Sequence, residues 1–128
     1  MHIEHVAIWC QDLERMRDFY QHYFAGQANT KYTNARGFSS YFLEFDTGCR
    51  LELMQWQEVS ELKNEPQRQF IGLGHLSFAL GSCEAVDVLT QRLVTDGYTL
   101  LSGPRTTGDG YYESCLLDPE LNRIELSR

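Results

Sequence analysis

Two stretches of this chain follow one plan, and that repeat limits the fold more than any other feature. Residues 3–26 read IEHVAIWCQDLERMRDFYQHYFAG, and residues 73–97 read LGHLSFALGSCEAVDVLTQRLVTDG. Each opens on a short strand-like run and then meets a residue that can cap a helix, Asp12 in the first stretch and Ser82 in the second. Leu13, Met16, Tyr20, Tyr23 and Phe24 then recur at helical spacing, as do Val86, Leu89 and Leu93. Gly26 and Gly97 stand where each helix should end.

Turn-punctuated strand patterns follow each helix. The first half offers QANTKYT, SSYFLEF and CRLELMQW; the second offers YTLLS, GYYESCLL and NRIELSR, with DPELN as its last turn. The expectation is an α+β fold of two βαβββ repeats, residues 1–56 and 72–128, in a single domain. Residues 57–71 between them are polar and broken by Pro66, and read as a linker or a lid. A helix covers only one face of each half-sheet. Turning the two open faces together would give a cupped mixed sheet with helices outside.

Strand alternation then sorts the side chains, because neighbours one apart point to opposite faces. Leu51 and Leu53 flank Glu52, and Ile124 and Leu126 flank Glu125, so the apolar neighbours belong under the helix and both acids on the open face. His5 and His75 open the first strand of each half at matching places. Two imidazoles and two carboxylates facing one cup define a divalent transition-metal site, suited to Ni, Zn, Co or Fe and, with two carboxylates, to Mn. Met54, Trp56, Ser77 and Tyr112 are the expected lining of a small-molecule pocket beside it.

Charge and cysteine usage exclude other classes. Eleven basic against eighteen acidic side chains give a net charge of -7, which disfavours nucleic acid or an anionic membrane as partner. The chain has no signal-peptide pattern, and its four cysteines form no C-x-x-C pair, so the default is a cytoplasmic protein with reduced thiols.

The segments HVAIWCQDLERMRDFYQHYFAG, GHLSFAL and DPELNRIEL resemble the vicinal oxygen chelate superfamily of glyoxalase I, bleomycin-resistance proteins, extradiol dioxygenases and methylmalonyl-CoA epimerase. The resemblance to glyoxalase I implies the ligand order His5, Glu52, His75 and Glu125. It also implies Glu125 as the base and Glu52 as its opposite ligand or proton donor, both catalytic. The reaction implied is proton abstraction from a small substrate with adjacent oxygens, through an enediolate, in a homodimer. Other activities within the superfamily are a metal-dependent epimerase, an extradiol-type dioxygenase, or a non-catalytic binder of an aromatic or antibiotic ligand. Two positions depart from the pattern. Leu121 replaces the usual turn glycine, so that turn should adopt a conformation that does not need glycine. Trp56 stands where glyoxalase I commonly has an Asn that helps hold glutathione, so the resemblance leaves open whether glutathione is used.

Overall fold

The structure, a computed structural model, describes residues 1–60, 65, 68–69 and 71–128. It divides into two compact units, Met1–Lys63 and Asn64–Arg128. The expected lid or linker role of residues 57–71 rests largely on positions outside the described residues.

In the first unit, β1 (His5–Trp9) leads into α1 (Leu13–Phe24), then β2 (Gln27–Ala28), β3 (Tyr32–Thr33), β4 (Ser39–Glu44) and β5 (Arg50–Gln55). The sheet order is β1-β5-β4-β2, with β3 also on β4, and only β1 and β5 run parallel. Asp12 caps α1 by accepting the Arg15 N–H, and the helix lies against β4 and β5. Its buried residues are Leu13, Met16, Phe19 and Tyr20, over Tyr41, Leu43, Leu51 and Leu53 of the sheet. Phe19, absent from the expected stripe, replaces Tyr23 and Phe24 as a fully packed position.

Two local expectations change here. QANTKYT forms two short strands instead of one, because the Asn29 side chain accepts the Phe42 N–H and takes the place of a ladder bond between them. The helix also ends differently. Ala25, not Gly26, holds the left-handed conformation, at φ 54. Gly26 is needed for space: a Cβ there would lie 3.0 Å from Leu43 Cδ2 and 3.1 Å from Phe45 Cε1.

In the second unit, β6 (Leu76–Ala79) leads into α2 (Cys83–Thr95), then β7 (Leu100–Thr106), β8 (Tyr112–Leu117) and β9 (Arg123–Ser127). The order is β6-β9-β8-β7, again with a single parallel pair, β6 with β9. Ser82 caps α2 by accepting the Ala85 N–H. At the other end the Gly97 and Tyr98 N–H groups bond back to the Val94 and Leu93 carbonyls, the paired closure that a left-handed glycine allows. Val86, Thr90 and Leu93 are buried on α2, as are Leu116, Ile124 and Leu126 on the sheet. The half-buried Leu89 gives its expected place to Thr90, whose hydroxyl lies 2.6 Å from both the Val86 carbonyl and the buried Ser114 hydroxyl.

The DPELN turn corrects another expectation. Leu121 keeps the left-handed conformation that glycine would favour, at φ 67. Buried Asp118 holds it there: its carboxylate accepts the Glu120 and Asn122 N–H groups at 2.9 Å, and the Asn122 side chain at 2.8 Å. Among the described residues, two helices and two mixed sheets built on a repeated module make this an α+β fold, as the sequence repeat requires.

Candidate functional site

Each unit joins the first and last strands of its repeat in parallel, and this brings a histidine to a glutamate. In the first unit His5 is in register with Arg50, and Ala7 with Glu52. Leu51 and Leu53 are buried beneath the helix, so Glu52 takes the other face, as alternation requires. There His5 Nε2 stands 3.8 Å from Glu52 Oε2. Phe42, the cross-strand partner of Glu52 on β4, meets the His5 ring edge-on at 5.4 Å between centroids, and the Arg50 guanidinium lies 4.3 Å over it.

In the second unit His75 directly precedes β6, and its Nε2 is 3.1 Å from Glu125 Oε2, within hydrogen-bond reach. Ile124 and Leu126 are fully buried on either side of Glu125, whose own side chain retains 18% exposure. Cys115 is the cross-strand partner of Glu125, and Glu113, two residues before it on β8, faces Arg105 at 3.7 Å. Burial pushes the Glu125 carboxyl above the ordinary carboxylate range and Glu113 adds to this, while His75 and Arg105 oppose it. Burial likewise raises the Cys115 thiol, with Arg123 opposing.

The expected pocket residues divide. Met54 follows Glu52 by two on β5 and is half-buried on that face, and Ser77 is in register with Glu125 and shares a 3.1 Å hydroxyl contact with Ser127. Trp56 lies just beyond β5, where its carbonyl accepts the Val59 N–H. Tyr112 is a correction. It alternates with Glu113, and its hydroxyl donates to Asp87 of α2 at 2.6 Å, so it belongs to the helix-facing side and not beside Glu125. Glu113 and Arg105, which the sequence reading did not single out, hold the position on the open face; the signal was their place two residues from Cys115 and across the ladder.

What stands in each unit is therefore one imidazole and one carboxylate. Among the described residues no group of three or more His, Cys, Asp or Glu side chains is arranged to hold a metal. The chemistry of the donors suits one: neutral Nε2 and carboxylate oxygen are common ligands of first-row divalent ions, and both carboxylates are only partly exposed. Among the described residues no helix is long and apolar enough to cross a membrane.

Comparison with known proteins fits this architecture. A profile of the Glyoxalase/Bleomycin resistance protein/Dioxygenase superfamily matches residues 2–126, and the chain belongs to that superfamily. The chain is 29% identical to Bacillus subtilis YqjT over 127 residues, 97% of this chain and 96% of that protein. A possible glyoxalase from Bacillus cereus matches with a TM-score of 0.71 at 26% identity, covering 100% of this chain and 99% of its own. The trypanothione-dependent glyoxalase I of Leishmania major shares the fold at a TM-score of 0.78, with 19% identity over 100% of this chain and 86% of its own.

Proposed function

We propose that this chain is a divalent-metal-dependent enzyme of the glyoxalase I type, with His5, Glu52, His75 and Glu125 as ligands and Ni, Zn, Co, Mn or Fe as the ion. One observation supports it above the rest: each repeat independently pairs an imidazole Nε2 with a carboxylate at equivalent positions. A homodimer in the cytoplasm is part of this reading, and sedimentation equilibrium measures the assembly.

A bound divalent ion would polarise the carbonyl of a substrate carrying two adjacent oxygens and stabilise the enediolate formed from it. The chain supplies the proton transfers. Glu125 takes the proton from the carbon beside the carbonyl, and the burial that raises its proton affinity suits a base working near neutral pH. Protonated Glu125 returns that proton at the neighbouring carbon, or Glu52 does so with the proton of the hydroxyl on the first carbon while Glu125 gives its own to the other oxygen, so both carboxylates end as they began. His5 and His75 act through Nε2 and carry no proton in the reaction. Phe42 and Met54 give the Glu52 side an apolar lining that excludes water from the reacting carbons.

Glu125→Gln separates binding from chemistry. With a 2-oxoaldehyde offered beside a panel of thiols, the variant keeps most of its metal and loses turnover; unchanged turnover would remove Glu125 from the role of base. A second reading, a ligand-binding protein without chemistry, draws on exposed Trp9, which alternates onto the His5 side of β1 and packs edge-on against Phe38 at 6.1 Å. Purified protein that carries no metal and gains no thermal stability from Ni, Zn, Co or Mn would favour that reading.

A further inference from the structure

The two repeats differ in how their histidines are held. His5 is one of four side chains joined in a ring of contacts. Its Nδ1 bonds the Glu4 carboxylate, whose other oxygen bonds the Arg50 guanidinium. Arg50 lies 4.3 Å over Phe42, and the Phe42 ring closes the circuit against His5 at 5.4 Å and 86°. The backbone reinforces it, since the Arg50 N–H bonds the Glu4 carbonyl at 3.0 Å and extends the ladder one residue beyond β1. At the matching place before His75 the chain has Gly74, which offers no side chain.

We propose that Glu4 is a positioning residue for His5: its carboxylate, steadied by Arg50, accepts the Nδ1 hydrogen and so leaves the Nε2 lone pair facing Glu52. The inference rests on the reading of His5 as a ligand. A neutral imidazole has one N–H and one lone pair, and the partner of the first nitrogen decides which face the second presents. A carboxylate behind a ligating histidine fixes both tautomer and ring orientation. Glu4 is well placed for this although strand alternation assigns it to the opposite face. It stands at the end of the ladder, one residue before β1, and its carboxylate reaches both His5 Nδ1 and the Arg50 guanidinium. His5 is thus a ligand set in advance, while His75, behind glycine, relies on Glu125 alone among the contacts described.

The test uses the full chain in the metal-free form and with Co²⁺. Nitrogen-15 NMR of the imidazoles at pH about 8, above the ordinary histidine range, reports the tautomer; a His5→Gln sample assigns the signal. Wild-type His5 carries its proton on Nδ1. Glu4→Ala gives a mixture with Nε2–H, and Glu4→Gln, whose amide oxygen still accepts, restores the wild-type pattern. Competition with a chromophoric chelator shows Co²⁺ binding weakened by about 10- to 100-fold in Glu4→Ala, the range for loss of such a partner, with partial recovery in Glu4→Gln. An unchanged tautomer in Glu4→Ala overturns the proposal, as does a changed tautomer with unaltered Co²⁺ affinity. If wild type binds no Co²⁺ at all, the metal reading falls, and the tautomer result still decides whether Glu4 positions His5.

Discussion

Ala25 and Gly26 are neighbours at the end of α1, and the structure assigns them opposite responses to the same pair of residues. Ala25 is exposed and sits at φ 54, where its Cβ crowds the following carbonyl. That conformation costs an L-residue about 1–2 kcal/mol. Replacing it with glycine removes the crowding, and the extra freedom glycine has in the unfolded chain returns about 0.4–1 kcal/mol of cost. No buried side chain is lost, so Ala25→Gly should stabilise by about 0.5–1 kcal/mol. Gly26 is buried, and its Cβ would stand 3.0 Å from Leu43 Cδ2, 3.1 Å from Phe45 Cε1 and 3.3 Å from the Tyr20 carbonyl. Leu43 is itself fully buried and the carbonyl belongs to the helix, so neither yields readily. Crowding of this kind costs about 1–3 kcal/mol, which outweighs the entropic gain, so Gly26→Ala should destabilise by about 1 kcal/mol or more. Urea titration at constant m-value reads both. Neutral or reversed signs would mean that α1 ends at Gly26, as its sequence alone suggests.

The Thr90–Ser114 contact should respond unequally to loss of either side. Thr90→Val leaves the buried Ser114 hydroxyl with no acceptor and should cost about 1–3 kcal/mol; Ser114→Ala leaves Thr90 donating to Val86 and should cost less. The double variant then recovers part of the loss, whereas simple additivity in urea unfolding would contradict the shared bond. Glu14 pairs with Arg17 within α1 and ties the helix to Lys31 and Tyr41, and its bond to Lys31 leads the causes that lower its carboxyl from 4.5. A lowered folded value means the stabilisation is complete above the unfolded value and vanishes as pH falls through the folded one. The urea midpoints of wild type and Glu14→Gln should therefore differ at pH 7 and converge on acidification below about 4.5; a gap independent of pH would refute the link.

The repeat and the strand faces were legible because both depend on local periodicity. Leu51 and Leu53 buried beside Glu52, and Ile124 and Leu126 buried beside Glu125, follow from alternation alone. Details set by tertiary neighbours were not. Gly26 looks like a helix terminator until Leu43 and Phe45 are seen against it, and Thr90 looks solvent-facing until Ser114 is seen opposite. Tyr112 was misplaced because an aromatic in a strand suggests a pocket, while the partner that claims it, Asp87, lies 25 residues away on a helix. Glu4 was overlooked for the opposite reason: alternation sends it to the far face, yet from the end of the ladder its carboxylate reaches His5 and Arg50. Leu121 shows that a turn glycine can be replaced while its conformation persists, when Asp118 makes enough bonds to hold it.

The proposed function requires both His–Glu pairs to serve one ion. Elemental analysis of protein purified without added metal, then of protein saturated with Co²⁺ or Ni²⁺, tests it most directly alongside His5→Ala and His75→Ala. The account predicts one divalent ion per chain in wild type and nearly complete loss in either variant, because each removes a ligand from the same set. Two ions per chain with loss of one in each variant, or no ion in wild type, would contradict it.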